Sequence, residues 1–555
     1  MLPTHRLDAF RVVARHGDGW MFAPTLDSSH AGDVPEGATL VFGDPQDIQS
    51  GEANPLGHGV LLREHAGTLT VHASLTGFPP IFLRECLGRT IVASSVADLV
   101  DVSLEGLQFD CQGLAEWASI GRPINGRTLF EGVRLVPAGA MLRFAPDGSV
   151  RQSVDGLTPS PTPFSSYEDY MEAQGTAMRA AVRRMRGDRS AVLSLTAGLD
   201  TRAVLSLLID EGVTFTAVTL SGERDSIDAL VAAELSRAYG VAHQVVRPDT
   251  AFRHRLTEFA ETAVRLSGGL CGFDQAFEVH MYSVLGAAGL ARFSGNLGNQ
   301  VGRSGTEGAG RRGMASEWFA APVRSSFEEL PREHWFRQIA SDGAHLNAQD
   351  LIERESLYAS LGNASIGSAL ALQRSPYTDR LVLHQKLREP VGGRVESSGG
   401  LGVRIRDLRH RVLGTPMTQS FQRRVVVGCG GAAASIPVNW GWRPTGGVAA
   451  HGCLRGLGAL LDMLSERSAV ARSSVARVGL AGLSGFHREL EVAQHAGWEF
   501  VRSELRDALE RVPGIFDRPA VERLIAVTSP SAPSASTGLQ LATIAMASRV
   551  FGVRG

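Results

Sequence analysis

The sequence predicts an α/β protein: a β-rich N-terminal region, then a doubly wound parallel sheet with a helical C-terminal part. Three observations carry this. Up to about residue 155, short apolar runs alternate with turn residues. The stretch DGLTPSPTPFSS is rich in Pro, Ser and Thr and reads as a linker. After it, short β runs alternate with helical periods, which is the pattern of βαβ units on a parallel sheet. The chain therefore divides into residues 1–155, a linker over 156–166, and residues 167–555.

In the first region GVLLREHAG, LTVHASLTG, PPIFLREC, TIVASSV and AMLRFAPDG read as strands, and VASSVADLVD opens a short helix. Beyond the linker, YEDYMEAQGTAMRAAVRRMRG has a helical period. AVLSL is a short strand, and TRAVLSLLIDEG a helix stopped by glycine. VTFTAVTL, IDALVAAELSRAYG and VAHQVV follow as strand, helix and strand, and LARFSGN adds a strand near residue 290. Past residue 340 the pattern is helical, broken at ESSGGLG and GCGGAAAS. SPSAPSAS, Ser529–Ser536, reads as a mobile loop before a last helix, GLQLATIAMASRVF.

A chain of 555 residues exceeds one ordinary core. Its composition is 43% hydrophobic and 20% charged with a net charge of −2, which argues against a protein built to hold nucleic acid. Cys86, Cys111, Cys271, Cys429 and Cys453 form no CxxC or Cys/His cluster, so free thiols in a reducing compartment are expected. No apolar run is long enough to cross a membrane, and MLPTHRLDAF lacks a signal-peptide core. A cytoplasmic protein is expected. The basic residues are arginine, with the single exception of Lys386.

The stretch SLTAGLDTRAV, Ser194–Val204, places a small, glycine-bearing turn between a strand and a helix. Ala197 and Gly198 let a ligand approach the backbone, and the helix start offers N–H groups and a dipole suited to an anion. Thr196 and Thr201 carry hydroxyls for phosphate oxygens. Asp200 is a hard oxygen ligand suited to Mg²⁺, and Arg202 a fixed positive charge. An ordinary capped turn has the same residue types, so on its own the loop leaves both readings open.

TAGLDT is similar to the S-G-G-x-D-S pyrophosphate loop of the ATP pyrophosphatase group, and more specifically resembles that of the asparagine synthetase superfamily. Further segments match in order. VTFTAVTLSGERDSIDALVAAELSRAYGVAHQVV resembles the family's next βαβ unit, whose strand end lies against adenine and here implies Leu220 and Ser221. FSGNLGNQVGR resembles the S-G-x-G-x-D-E segment that closes the site, implying Gly295 and Asn299 as contacts. QRSPYTDRLVL resembles the R-x-P-F-x-D segment that opens a helix. TVHASLTGFPPIFLRECLGRTIVASSVADL and EGVRLVPAGAMLRF look like the family's glutaminase fold. The resemblance implies a degenerate N-terminal nucleophile-type αββα sandwich followed by an ATP pyrophosphatase-like domain, with ATP and Mg²⁺ as cofactors. Ser194 would lie with Thr196, Ala197, Gly198 and Thr201 at the pyrophosphate.

The departures are specific. Leu2 follows Met1 where a glutamine-hydrolysing member has its nucleophilic cysteine, so an amine is the expected nitrogen donor, as in β-lactam synthetase and lasso-peptide cyclase relatives. Asn299 and Gln300 replace the D-E pair, and an amide oxygen is a weaker Mg²⁺ ligand than a carboxylate. Glu307 is a nearby acid. Leu372 stands where the family has a glutamate. The late catalytic lysine has no match: Lys386 falls too early, and Arg443 in NWGWRPTGG is read either as the replacement charge or as a surface arginine beside Trp440 or Trp442. RLSGGLCGFDQ repeats S-G-G-L with Cys271 in place of the aspartate. It reads as a turn near the active-site floor, with a reactive Cys271 and a contact role for Asp274 as lesser readings. His243 reads as structural.

The expected function is ATP-dependent amide formation through an acyl-adenylate, with Asp200 as metal ligand and Asp200, Arg202 and Arg443 as the catalytic set. The expected partners are small-molecule or peptide carboxylic acids and amines, without nucleic acid or membrane, and with a homodimer or a biosynthetic partner protein open. The other reading is a catalytically degenerate nucleotide-binding or scaffold relative.

Overall fold

The computed structural model describes residues 10–16, 19–24, 39–43, 59–66, 68–86, 89–102, 106–145, 149–154, 162–187, 190–223, 225–286, 290–298, 301, 314–330, 358–390, 420–439, 443–446, 497–528, 530 and 532–553. The N-terminal region is a sandwich of two five-stranded sheets. Its strands are β1 (Phe10–His16), β2 (Gly19–Pro24), β3 (Thr39–Gly43), β4 (Gly59–His65), β5 (Thr68–Ala73), β6 (Phe82–Cys86), β7 (Arg89–Ala93), β8 (Val133–Leu135), β9 (Ala140–Phe144) and β10 (Val150–Val154). One sheet runs β1-β2-β7-β6-β8 and the other β10-β9-β5-β4-β3. Alternation within β7 shows how one strand serves two layers. Val92 faces the second sheet with Val60, Leu62 and Val71, while Ile91 and Ala93 face α1 (Val96–Val102) and α2 (Cys111–Ile120). Among the described residues, helices cover only one face of the sandwich, so the expected αββα layering is seen as ββα.

α3 (Tyr167–Met185) opens the second region. Ser166 caps it by accepting from the Asp169 N–H. β11 (Ala191–Ser194), α4 (Leu199–Asp210), β12 (Phe215–Leu220), α5 (Ile227–Tyr239) and β13 (His243–Val246) then alternate as expected. α6 (Thr250–His254), α7 (Leu256–Ser267) and α8 (Ala276–Leu285) lead to β14 (Ala291–Phe293). α9 (Ala321–Glu329) and α10 (Tyr358–Leu370) precede β15 (Leu372–Arg374). α11 (Arg380–Leu387), α12 (Ser420–Cys429), α13 (Ala432–Ser435), α14 (Trp498–Arg511), α15 (Arg518–Ile525) and α16 (Ala532–Val550) complete the described chain. The sheet order is β13-β12-β11-β14-β15, with every pairing parallel. Helices cover both faces. Val192 and Val218 pack against Met281 and Tyr282 of α8, whereas Leu193 and Ala217 join the large core that contains α4 and α5. The predicted doubly wound sheet is present.

That large core runs without a break from Leu75 to Val553. Phe130 meets Phe551 edge-on with ring centroids 5.1 Å apart, and the Trp117 indole N–H donates to the Leu270 carbonyl at 3.0 Å. The two regions are thus joined by apolar packing as well as by the linker.

One expectation needs correction. The segment read as a loop at Ser529–Ser536 is helical from Ala532, and Pro533 sits in the first turn of α16, where its missing N–H costs nothing. QRSPYTDRLVL opens a helix as expected: a strand and a 3₁₀ turn at Pro376–Thr378 lead into α11, capped by Asp379, whose carboxylate accepts from the Leu381 N–H. The ESSGGLG break lies outside the described residues.

Candidate active site at the sheet's switch point

β12 and β13 lie to one side of β11, and β14 and β15 to the other. The chain order reverses between β11 and β14, which makes their carboxyl ends the switch point of the sheet. In open parallel sheets the switch point is where ligands bind. The two loops are 195–198, which feeds α4, and 294–298, which follows β14. TAGLDT and SGNLG, matched as separate motifs, face each other there.

The first loop is tied by its own polar groups. The Thr196 N–H donates to Thr201 Oγ1 at 3.2 Å, and the two hydroxyls lie 2.9 Å apart. The Ala197 N–H donates to Asp228 Oδ1 at 2.8 Å, so one loop donor is occupied by a carboxylate from the first turn of α5. No side chain caps the N-terminus of α4. Gly198 has φ −69°, which any residue can adopt, and a Cβ there would meet only Thr196 Oγ1 at 3.6 Å. Gly198→Ala, at the N-cap of α4, is expected to cost about 1 kcal/mol or less of stability and to weaken nucleotide binding roughly tenfold, the loss of one good anion contact. Equal affinity in the variant would remove Gly198 from the site.

The second loop presses on Asp200. A Cβ on Gly298 would lie 2.6 Å from both Cβ and Cγ of Asp200, and one on Gly295 would lie 3.0 Å from Asp200 Cβ and the Thr201 nitrogen. Asp200 is half-buried, and its Oδ1 accepts from Gln422 Nε2 at 2.9 Å. The same nitrogen donates to the Gly298 carbonyl at 2.7 Å. Gln422 itself is fully buried, and its Oε1 has no hydrogen-bond partner among the described residues. The Tyr377 hydroxyl donates to the Asp200 carbonyl at 3.1 Å. Gln422 and Tyr377 are site residues that the sequence reading did not single out, although Tyr377 lies inside the quoted SPYTD.

Arg202 requires a correction. Its side chain is wholly buried, and its guanidinium donates to the carbonyls of Ala433 and Pro437, each at 3.1 Å, to that of Ile436, and to Ala197 at 3.3 Å. It holds the loop from behind and fastens the end of α13 to α4, so it supplies no counter-charge at the loop mouth. Ser194 likewise turns to the α8 face, where its Oγ accepts from Arg292 Nε at 2.6 Å, and Arg292 pairs with Glu278. The Ser221 hydroxyl is engaged with Ser226 at 3.2 Å and accepts from the Ser226 N–H at 2.9 Å, which binds the 221–226 turn together. Leu220 ends β12 at the same edge of the sheet, half-buried. Leu372 is buried in β15.

Arg443 lies on a segment that packs on α13, where the Thr445 N–H donates to the Ala434 carbonyl at 3.1 Å; the Arg443 Nε is buried without a hydrogen-bond partner among the described residues. Asn299, Gln300, Glu307, Trp440, Trp442 and the Asp274 side chain lie outside the described residues. Lys386 is buried in an ion pair with Glu389 at 2.8 Å. Cys271 is in the turn that carries Leu270 against Trp117, so this S-G-G-L turn belongs to the packing between regions; its thiol lies 3.2 Å from the Asn363 amide oxygen. Cys111, Cys271 and Cys429 form no disulfide, and burial pushes the thiols of Cys111 and Cys429 up from the ordinary value.

His243 supports the loop from beneath. Thr219 Oγ1 donates to the Leu195 carbonyl at 2.7 Å and accepts from His243 Nε2 at 3.0 Å. Burial lowers the pKa of His243, against a smaller opposing pull from Asp225, and burial lowers that of His280 as well. A folded pKa below the unfolded one gives stability that is full above about pH 6.5 and is lost as pH falls through the folded value. The denaturant midpoint is therefore expected to drop between about pH 7 and pH 5, and to drop less in His243→Gln. A pH-independent midpoint would contradict the buried neutral rings.

Among the described residues no group of three or more His, Cys, Asp and Glu is placed to hold a metal, and no helix is long and apolar enough to cross a membrane. No protein-family profile and no curated protein matches the chain. Solved structures do. NMN synthetase from Francisella tularensis is 12% identical, over 44% of this chain and 95% of that one, with a TM-score of 0.20. Glutamine-dependent NAD+ synthetase from Acinetobacter baumannii, in complex with adenosine diphosphate, is 16% identical over 39% of this chain and 50% of that one, with a TM-score of 0.18. Both are synthetases by name.

Proposed function

We propose that the protein is an ATP-dependent ligase that forms amide bonds through an acyl-adenylate, taking its nitrogen from an amine. The observation that carries this reading is the meeting of TAGLDT and SGNLG at the switch point, with Asp200 held between them. The amides at the start of α4 and the hydroxyls of Thr196 and Thr201 suit a pyrophosphate. The carboxylate of Asp200 suits a divalent cation, whose contribution when bound would be to neutralise phosphate charge. An acid carboxylate attacks the α-phosphorus, releasing pyrophosphate; an amine then attacks the acyl carbon, releasing AMP and a proton. The chain's own share is positioning and charge stabilisation. The substrates belong to the small-molecule or peptide acids and amines of specialised biosynthesis, with cyclisation of one molecule included.

The test is pyrophosphate release from ATP across a panel of carboxylic acids with and without amines. Release that needs an acid supports the ligase. Leu372, an apolar residue in the sheet, and the occupied Ala197 N–H favour a second reading, a nucleotide-binding scaffold. Nucleotide binding with no acid-dependent release selects that one.

A further inference from the structure

We propose that Asp228 is a positioning residue that sets how tightly the 195–198 loop holds pyrophosphate: its carboxylate is a built-in rival of the bound anion and promotes its release. This rests on the reading of the loop as a nucleotide site. Asp228 Oδ1 accepts from the Ala197 N–H at 2.8 Å. It reaches the loop from the first turn of α5, whose N-cap is Ser226, and it is half-buried. Three other ties hold the same loop. The Leu195 carbonyl accepts from Thr219 Oγ1, the Thr196 N–H donates to Thr201 Oγ1, and the Ala197 carbonyl accepts from Arg202. None of these brings negative charge. Asp228 does, although a loop that needed only one more tie could take it from an uncharged oxygen.

The start of α4 gathers amides that have no partner within the helix and the positive end of its dipole, and no side chain caps it. A carboxylate beside it does what a phosphate would do: it accepts a loop N–H and carries negative charge. Such a charge-assisted bond is about twice as strong as a neutral one, so pyrophosphate gains the Ala197 amide only by displacing Asp228. An anion held instead by the next amide, that of Gly198, has its oxygen within about 9 Å of Asp228 Oδ1, because consecutive amide nitrogens lie under about 3.8 Å apart and each hydrogen bond spans about 2.9 Å. At that distance a unit charge changes affinity roughly two- to twentyfold, for effective dielectrics from that of water to that of a protein surface. Either way the carboxylate weakens the anion's hold. The proposed reaction makes pyrophosphate at this loop and must let it go, and slow release of product limits many enzymes. Asp228 regains the Ala197 amide as pyrophosphate departs, so the occupied amide belongs to a working site.

Inorganic pyrophosphate titrated calorimetrically into the full chain, with and without Mg²⁺, tests this. Asp228→Asn keeps an oxygen for the Ala197 N–H and removes the charge. It is expected to bind pyrophosphate roughly tenfold tighter than wild type at low salt, the gap closing to about twofold or less at 1 M salt, where the Debye length is about 3 Å. Asp228→Glu, which keeps the charge, is expected to bind no tighter than wild type. A residue that merely braced the loop would lose affinity on substitution, so a gain separates the two roles. Equal or weaker binding by Asp228→Asn, with wild type binding, overturns the proposal and leaves the loop's nucleotide role standing. A gain that 1 M salt leaves intact overturns it as well, since charge is then not its cause. Pyrophosphate bound by neither protein under either condition overturns both readings. Should Asp228→Asn fail to fold, Asp228→Ser, neutral and common at helix starts, carries the same expectation.

Discussion

Asp200→Ala lowers acid-dependent pyrophosphate release by roughly a hundredfold or more, the size expected when a charge-stabilising group is removed from a reaction centre. Asp200 sits between the two loops of the switch point: a side chain at Gly295 or Gly298 would strike it, and Gln422 holds its Oδ1. Its position in the first turn of α4 adds a helix dipole that favours a carboxylate there. Truncation costs one hydrogen bond to Gln422, a stability change of about 1 kcal/mol. Activity and stability therefore separate. Pyrophosphate release and the urea midpoint, measured on the same preparations, check it. Equal release by Asp200→Ala and wild type would take Asp200 out of the chemistry.

The second large effect falls on stability. Arg202→Ala is expected to cost several kcal/mol, because it leaves buried backbone carbonyls unpaired, at about 1–3 kcal/mol each. The guanidinium spans the carbonyls of Ala433, Ile436 and Pro437 on one side and Ala197 on the other. Lysine presents a single ammonium with no planar fork, so Arg202→Lys restores only a minor part. Denaturant unfolding of the three proteins measures this directly. A counter-charge at the loop mouth would behave in the opposite way, with Lys substituting well, stability unchanged and nucleotide affinity reduced.

Arg202 also shows what was readable and was not read. Successive residues on a helix are about 100° apart, so positions 200 and 202 point to different sides and cannot serve one ligand. If Asp200 faces the crevice, Arg202 faces the core, and the apolar residues around it in α4 agree. The β11–α4–β12–α5–β13 succession was legible because each element is long enough to show its period, and the glycines of SGNLG were legible as a motif. β15 was not, since three residues between Leu372 and Arg374 carry no alternation that differs from a helix start. Gln422 left no local signal at all. It reaches Asp200 across 222 residues of sequence only because α12 packs along α4, and a glutamine within a helix is otherwise unremarked. The start of α16 was misplaced because Ser and Pro suggest a loop, while the first turn of a helix accepts both.

On the proposed function, the 195–198 loop at the switch point holds the pyrophosphate part of a nucleotide. Equilibrium binding of ATP in the presence of Mg²⁺, with inorganic pyrophosphate as competitor, tests it most directly in wild type and Gly198→Ala. Saturable binding that pyrophosphate displaces, and that the alanine weakens without unfolding the protein, is the predicted result. No saturable binding, or binding that neither pyrophosphate nor Gly198→Ala alters, would contradict it.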